Sequence, residues 1–186
     1  MKLIVGLGNY PREYHETRHN AGFMVIDYWL NQHHLTLKEN KFNGWFIKTN
    51  INNQQVIIAK PYTYMNLSGQ FVRDIMNFYK ISINDLLVIA DDVDTPIGSI
   101  RIKTTGSSAG QKGIQNIIDL LGTKDFKRIR VGIDKPADKS QMISFVTGKF
   151  TRQERTLLDP MIEKSASAID TWLETDDFNL VLNKFN

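Results

Sequence analysis

No cysteine occurs among the 186 residues, which excludes disulfides, thiolate metal sites and cysteine nucleophiles. Histidine is scarce, at four positions, and no H-E-x-x-H or other compact ligand spacing points to zinc. No apolar run approaches the length of a membrane span. The amino-terminal "KLIVGLGN" is too short for the apolar region of a signal peptide and shows no cleavage site, so a cytoplasmic protein is expected. "GLGN" lacks the third glycine that dinucleotide binding requires, and there is no G-x-x-x-x-G-K-[ST] phosphate loop. Internal repeats, linkers and low-complexity segments are missing too, and one domain over 1–186 is expected.

What is present is ordinary in bulk and uneven in distribution. Hydrophobic residues make up 41% and charged residues 23%, as in a typical globular domain. The net charge of +3 permits a polyanionic partner without requiring one. "RIK" (101–103) and "KDFKRIR" (124–130) are cationic, whereas "LETDDF" (173–178) is acidic. Such runs by themselves are most simply solvated faces.

Patterning gives the elements. "LIVG" (3–6) and "LLVIADD" (86–92) are short apolar runs that read as strands buried on both faces. "FNGWFIKTNINNQQVIIAK" (42–60) reads as two strands joined at Asn52-Asn53, with Pro61 ending the second. "IGSIRIK" (97–103) alternates as a strand, and "RIRVGI" (128–133) is the last clear one. Helical spacing follows over 20–34, through Phe71, Val72, Ile75, Met76 and Tyr79, and through Ile114, Ile117, Ile118 and Leu121, with Gly122 placed as a C-terminal cap. Thr151 and Glu154 form a capping box before a stripe of Leu158, Ile162, Ile169 and Trp172, with Pro160 expected to kink that helix or mark its first turns. A short helix ends the chain, and His33-His34 reads as a solvent-facing helix cap. Alternating strands and helices predict an α/β fold, a single-domain α/β/α sandwich around a mixed, mostly parallel twisted sheet.

Functional groups in such sheets gather beyond the carboxyl ends of the strands. The first strand is followed by Asn9, Tyr14, His19 and Asn20, and the hairpin by Tyr64, Met65 and Asn66. Asp91, Asp92 and Asp94 follow the next apolar strand, and the loop "TGSSAGQKG" offers Gln111 and Lys112. A neutral imidazole deprotonates water near neutral pH, and a carboxylate on its other nitrogen fixes the tautomer and stabilises the imidazolium. Asparagine amides orient a water or donate to a developing oxyanion. Each residue also has a plainer reading: Asn9 as a left-handed turn residue, Asn66 as a helix N-cap, Asp91 as a turn former before Pro96.

Taken together, "KLIVGLGN…Y…TRHNAG", "MNLSG", "DDVDTPIG" and "KRIRVGI…DK" closely resemble, in order and over nearly the whole chain, the bacterial peptidyl-tRNA hydrolase family. The resemblance implies a monomeric α/β enzyme without metal or cofactor, cleaving the ester between a peptide's C-terminus and the 3′-terminal ribose of tRNA. It makes His19 the general base and Asp91 its carboxylate partner, with Asn9 and Asn66 lining the catalytic centre. Tyr14 and Met65 then shape the substrate crevice, and Lys103 and Arg130 clamp the 5′-terminal phosphate of the tRNA.

Two stretches depart from the family pattern. "GNYP" (8–11) stands where "GNPG" is usual, so Pro11 stiffens a different turn. In "GSSAGQKG", Gln111 and Lys112 occupy the histidine and asparagine positions of "GGHNG". Lysine donates hydrogen bonds but cannot accept them, which turns Lys112 toward either the acceptor-stem phosphates or solvent. The altered loop is the feature that would favour a non-catalytic RNA-binding relative, or a hydrolase of other acylated nucleotides; the retained His19, Asp91, Asn9 and Asn66 favour the enzyme.

Overall fold

The computed structural model describes all 186 residues. Seven strands form one sheet in the order β2-β3-β4-β1-β5-β7-β6. They are β1 (Lys2–Gly6), β2 (Glu39–Lys41), β3 (Gly44–Ile51), β4 (Gln54–Pro61), β5 (Leu86–Asp92), β6 (Ile100–Lys103) and β7 (Lys127–Gly132). Strands β4, β1, β5 and β7 are parallel neighbours, while β3 and β6 run against theirs. Every residue of β1 and β5 is buried, as their uninterrupted apolar runs predict for strands covered on both faces.

Side chains alternate across the sheet, so each strand feeds two cores. One core takes Ile4, Leu87 and Ile89 together with helices α1 (Ala21–Gln32), α5 (Arg152–Thr175) and α6 (Phe178–Phe185). The other takes Leu3, Val5 and Val88 together with α2 (Ser68–Tyr79) and α3 (Lys112–Leu121). Burying one such aliphatic side chain is worth about 1.5–3 kcal/mol. This is the α/β/α sandwich that the alternation of elements predicts. No helix is long and apolar enough to cross a membrane.

Local signals are realised with few exceptions. Asn52 and Asn53 both take positive φ, the two-residue hairpin geometry for which asparagine is suited. Gly122 closes α3 in the left-handed conformation, and the Thr151–Glu154 capping box forms with both hydrogen bonds. Some readings are met only in part. The strand expected over 97–103 begins only at Ile100, because Ser99 N–H turns back to the Pro96 carbonyl. Of the two readings of Pro160, the one in the first turns falls away, because it lies inside α5. His33 is the C-cap of α1 and His34 is exposed, as read, but the His33 side chain is only half exposed: its Nε2 meets Asp170 at 2.9 Å and its ring stacks on Trp29. Two short elements went unread, β2 and α4 (Met142–Val146).

The chain leaves β1 over the α1 face to reach β4, and leaves β5 over the α3 face to reach β7. The two connections therefore diverge, which opens a crevice at the carboxyl ends of β1 and β5. Helix α1 is pulled against that crevice at Gly22. A Cβ there would collide with the Ile89 carbonyl oxygen and lie 2.7 Å from both the Leu7 nitrogen and oxygen. These are backbone atoms that cannot rotate away. Gly22→Ala is expected to destabilise the fold by about 3 kcal/mol, the upper end for overpacking, read as a lower urea midpoint at unchanged slope.

Candidate active site

The first loop supplies His19 from a single 3-10 turn, Arg18–Asn20, that leads directly into α1. Two anchors hold that turn. On one side Arg18 forms a fork with Glu154, Nη2 to Oε1 at 2.7 Å and Nε to Oε2 at 3.2 Å, and donates Nη1 to the Phe145 carbonyl. The Arg18 N–H also bonds to the Gly148 carbonyl. Burial alone would raise the Glu154 carboxyl; the hydrogen bonds from Arg18 and the Thr151 backbone outweigh it and hold it below its ordinary value. On the other side Asn20, also buried, exchanges two hydrogen bonds with the Asn9 backbone, at 2.8 and 2.9 Å.

Asp91 is the penultimate residue of β5 and only 2% exposed. Its Oδ2 lies 2.8 Å from His19 Nδ1, and its Oδ1 accepts from Gln111 Nε2 at 3.0 Å. Burial pushes the His19 imidazole down, but the Asp91 charge and hydrogen bond prevail over it and over the opposing charge of Lys112, so its pKa is raised. Nδ1 therefore carries the proton toward the carboxylate, and Nε2, which has no protein partner, is the atom left to act. His19 and Asp91 open on a cavity of about 610 Å³ walled by Val93, Met142, Ile143 and Val146 and rimmed by Lys112, Lys135 and Lys139.

The remaining expected residues divide into those that converge here and those that do not. Asn9 is buried, and its Oδ1 accepts from the Met65 backbone at 2.9 Å, which leaves its amide nitrogen without a protein partner. Asn9 is not a left-handed turn residue, and the Tyr10-Pro11 turn leaves it anchored. Met65 is buried with its sulfur 3.1 Å from Gln111 Nε2 and does not line the cavity. Asn66 is exposed, makes no side-chain hydrogen bond and does not cap α2, whose N-cap is Leu67. Tyr14 is half-buried in a 3-10 turn of its own. The turn after β5 is formed by Asp92, which accepts from Asp94 N and Thr95 Oγ1, and Asp91 is free for His19. Lys112 is the first residue of α3, on the cavity rim.

Lys103 and Arg130 lie elsewhere, at the β6 edge. Arg101 faces Arg130 and Lys103 faces Arg128 across the antiparallel pair, so four cations share one side of the sheet. Arg128 is fully buried and donates to the carbonyls of Gly106, Ser107 and Lys124. Burial first, and then the Arg130 charge, lower its pKa to about 10, with Asp125 opposing; it is still a cation at neutral pH. Arg130 donates Nη2 to the Ser107 carbonyl, while its buried Nε has no partner. None of the four forms an ion pair.

Sequence reading offered Gln111 among the loop residues without giving it a role, and missed Arg18 as a part of this site. Arg18 stood next to His19 in "TRHN", but nothing in the sequence pointed to Glu154. No group of three or more histidine and carboxylate side chains is placed to hold a metal ion.

Because the Asp91 charge is what lifts His19, Asp91→Asn should lower the His19 pKa while leaving the fold intact. The sign for stability follows. A pKa raised in the folded state stabilises fully below the unfolded value and is lost as pH climbs through the folded one. Wild type should therefore lose this increment as pH rises above the ordinary histidine range, and Asp91→Asn should not. NMR titration of the His19 ring and urea unfolding across that range measure both.

A model of the peptidyl-tRNA hydrolase family matches residues 3–186. Relatives named peptidyl-tRNA hydrolase from Oceanobacillus iheyensis and Bacillus cytotoxicus are 44% and 45% identical, with all of both chains covered. The crystal structure of peptidyl-tRNA hydrolase from Acinetobacter baumannii superposes with a TM-score of 0.94 at 36% identity, covering 100% of this chain and 94% of that one. With its crevice between β1 and β5 and the His19–Asp91 pair at the bottom, this chain belongs to the peptidyl-tRNA hydrolase family.

Proposed function

We propose that the protein hydrolyses the ester joining a peptide's C-terminal carbonyl to the 3′-terminal ribose of tRNA, with His19 activating the attacking water. The observation that carries this reading is the His19 Nδ1–Asp91 Oδ2 contact of 2.8 Å, with Nε2 directed to the reaction side. His19 Nε2 removes a proton from water, the hydroxide adds to the ester carbonyl, and the imidazolium returns the proton to the departing ribose oxygen. Asp91 stabilises the imidazolium in between. The Asn9 amide, held by its oxygen on Met65 N, donates to the oxyanion, and the exposed Asn66 is free to turn toward the substrate. Tyr14 and the apolar cavity walls take up the peptide.

The cations at the β6 edge take up the nucleic acid. The exposed Lys103 engages the 5′-terminal phosphate, with the largely buried Arg130 adding positive charge behind it, a contact of position rather than of sequence, and Lys112 meets the phosphates of the acceptor end. The reading includes action as a monomer in the cytoplasm, without a metal. The non-catalytic RNA-binding alternative gains nothing from the altered loop, since Gln111 is tied into the His19–Asp91 pair.

His19→Ala should reduce single-turnover release of peptide from N-acyl-aminoacyl-tRNA by at least about a hundredfold, the scale of a lost general base, with tRNA affinity within about twofold of wild type, because the phosphates dominate binding. Hydrolysis near the wild-type rate would refute the mechanism. Lys103→Ala and Arg130→Ala should act mainly on KM, since a contact made equally in ground and transition states leaves kcat alone. Wild type should lose efficiency on tRNA lacking the 5′-phosphate, whereas both variants should be nearly indifferent to it. An equal response of all three proteins would remove both residues from the interface.

A further inference from the structure

Gln111 lies at the start of α3, only 7% exposed, with both polar atoms of its side chain engaged. Its Oε1 accepts from Ile114 N at 2.8 Å, which makes it the N-cap of the helix. That bond fixes the amide, because only the oxygen can accept from a backbone N–H. Nε2 is thereby turned to Asp91 Oδ1 at 3.0 Å, and it also approaches the Met65 sulfur at 3.1 Å. Gly113 leaves room for this. A Cβ there would lie 2.6 Å from that sulfur and 3.1 Å from Gln111 Oε1.

We infer that Gln111 is a positioning residue, which holds the Asp91 carboxylate so that its second oxygen meets His19 and draws off part of the negative charge that His19 sees. A carboxylate bound by His19 alone could rotate and would concentrate its charge on one partner. With a neutral donor on Oδ1 that charge is shared, and His19 is stabilised as imidazolium less strongly than by an unshared aspartate. A base held too firmly protonated is a poor base at neutral pH. Glutamine suits the task, as it donates at any pH and adds no charge of its own. The other charged groups facing the pair are Lys112 of α3, Asp94 after β5, and Lys135 and Lys139 after β7, all lining the same cavity; Lys135 is paired with Asp94.

The catalytic consequence rests on His19 being the base, as proposed above, but the ionisation of His19 in the free protein can be read without substrate. The experiment is an NMR titration of the full chain labelled with ¹⁵N-histidine, in wild type, Gln111→Leu and Gln111→Ser. Leucine fills the volume without donating. Serine preserves the N-cap but is too short to reach Asp91, so it separates the cap from the carboxylate contact should the leucine variant not fold. Both variants are expected to raise the His19 midpoint by about half a unit or more, the direction opposite to Asp91→Asn. Single-turnover hydrolysis on the alkaline plateau should fall about tenfold, as for a lost hydrogen bond to a charged group, at unchanged tRNA affinity. A midpoint that stays put or falls, whether or not stability drops, would reduce Gln111 to a helix cap and overturn the inference. If the midpoint rises but His19→Ala still hydrolyses substrate, the base assignment fails while the positioning of Asp91 stands.

Discussion

A carboxylate removed from water keeps its charge only if its oxygens find donors, because desolvation otherwise drives it neutral. Asp91 meets that requirement at the end of a fully buried strand, with one oxygen on an imidazole and the other on an amide. Everything else at the crevice follows from keeping those two donors in place. Helix α3 must begin where Gln111 reaches Asp91, and Gly113 must lack a side chain for it to do so. The first loop must deliver His19 to the opposite oxygen, and α1 must pack closely enough to leave it there.

The loops are held by the same economy of polar groups. Asn20 closes on the Asn9 backbone, and Asn9 in turn holds Met65 by its backbone, so that the β1 and β4 loops form one unit. Arg18 ties His19 to the start of α5 through Glu154, and the same Glu154 completes the capping box of that helix. A side chain that both caps a helix and orients a functional neighbour is used twice here, at Glu154 and at Gln111. The site is therefore carried by helix starts, which are rigid, rather than by free loop.

Much of this was legible. The apolar runs of β1 and β5 and the stripes of the long helices were read correctly because burial on both faces or on one face leaves a period in the sequence. Elements without such a signal were not. Strand β2 is the polar "ENK", which is a strand only because β3 offers it hydrogen bonds, and α4 is five residues docked beside the cavity. His33 looked like an exposed cap, since nothing near it in sequence announces Asp170. Within the site, the resemblance paired His19 with Asp91 across 72 residues, whereas the residues alone left open whether Asp91 partnered a histidine or formed a turn. Gln111 was visible as a loop candidate and as a departure from the family pattern, but with no role, because a lone glutamine in a Gly-Ser loop has no period and no motif. Its partners are assembled by the fold.

The guanidiniums of Arg128 and Arg130 donate to main-chain carbonyls rather than to carboxylates. A carboxylate would have cancelled their charge; a carbonyl dipole leaves it standing. The β6 edge thus keeps a permanent positive potential even where its source is sealed from solvent. Such a field reaches outward over roughly a Debye length, about 8 Å at physiological ionic strength, and biases the approach of a polyanion before any atom touches. Gly106–Gln111, strapped to arginine at one end and to aspartate at the other, is the covalent link between that edge and the crevice.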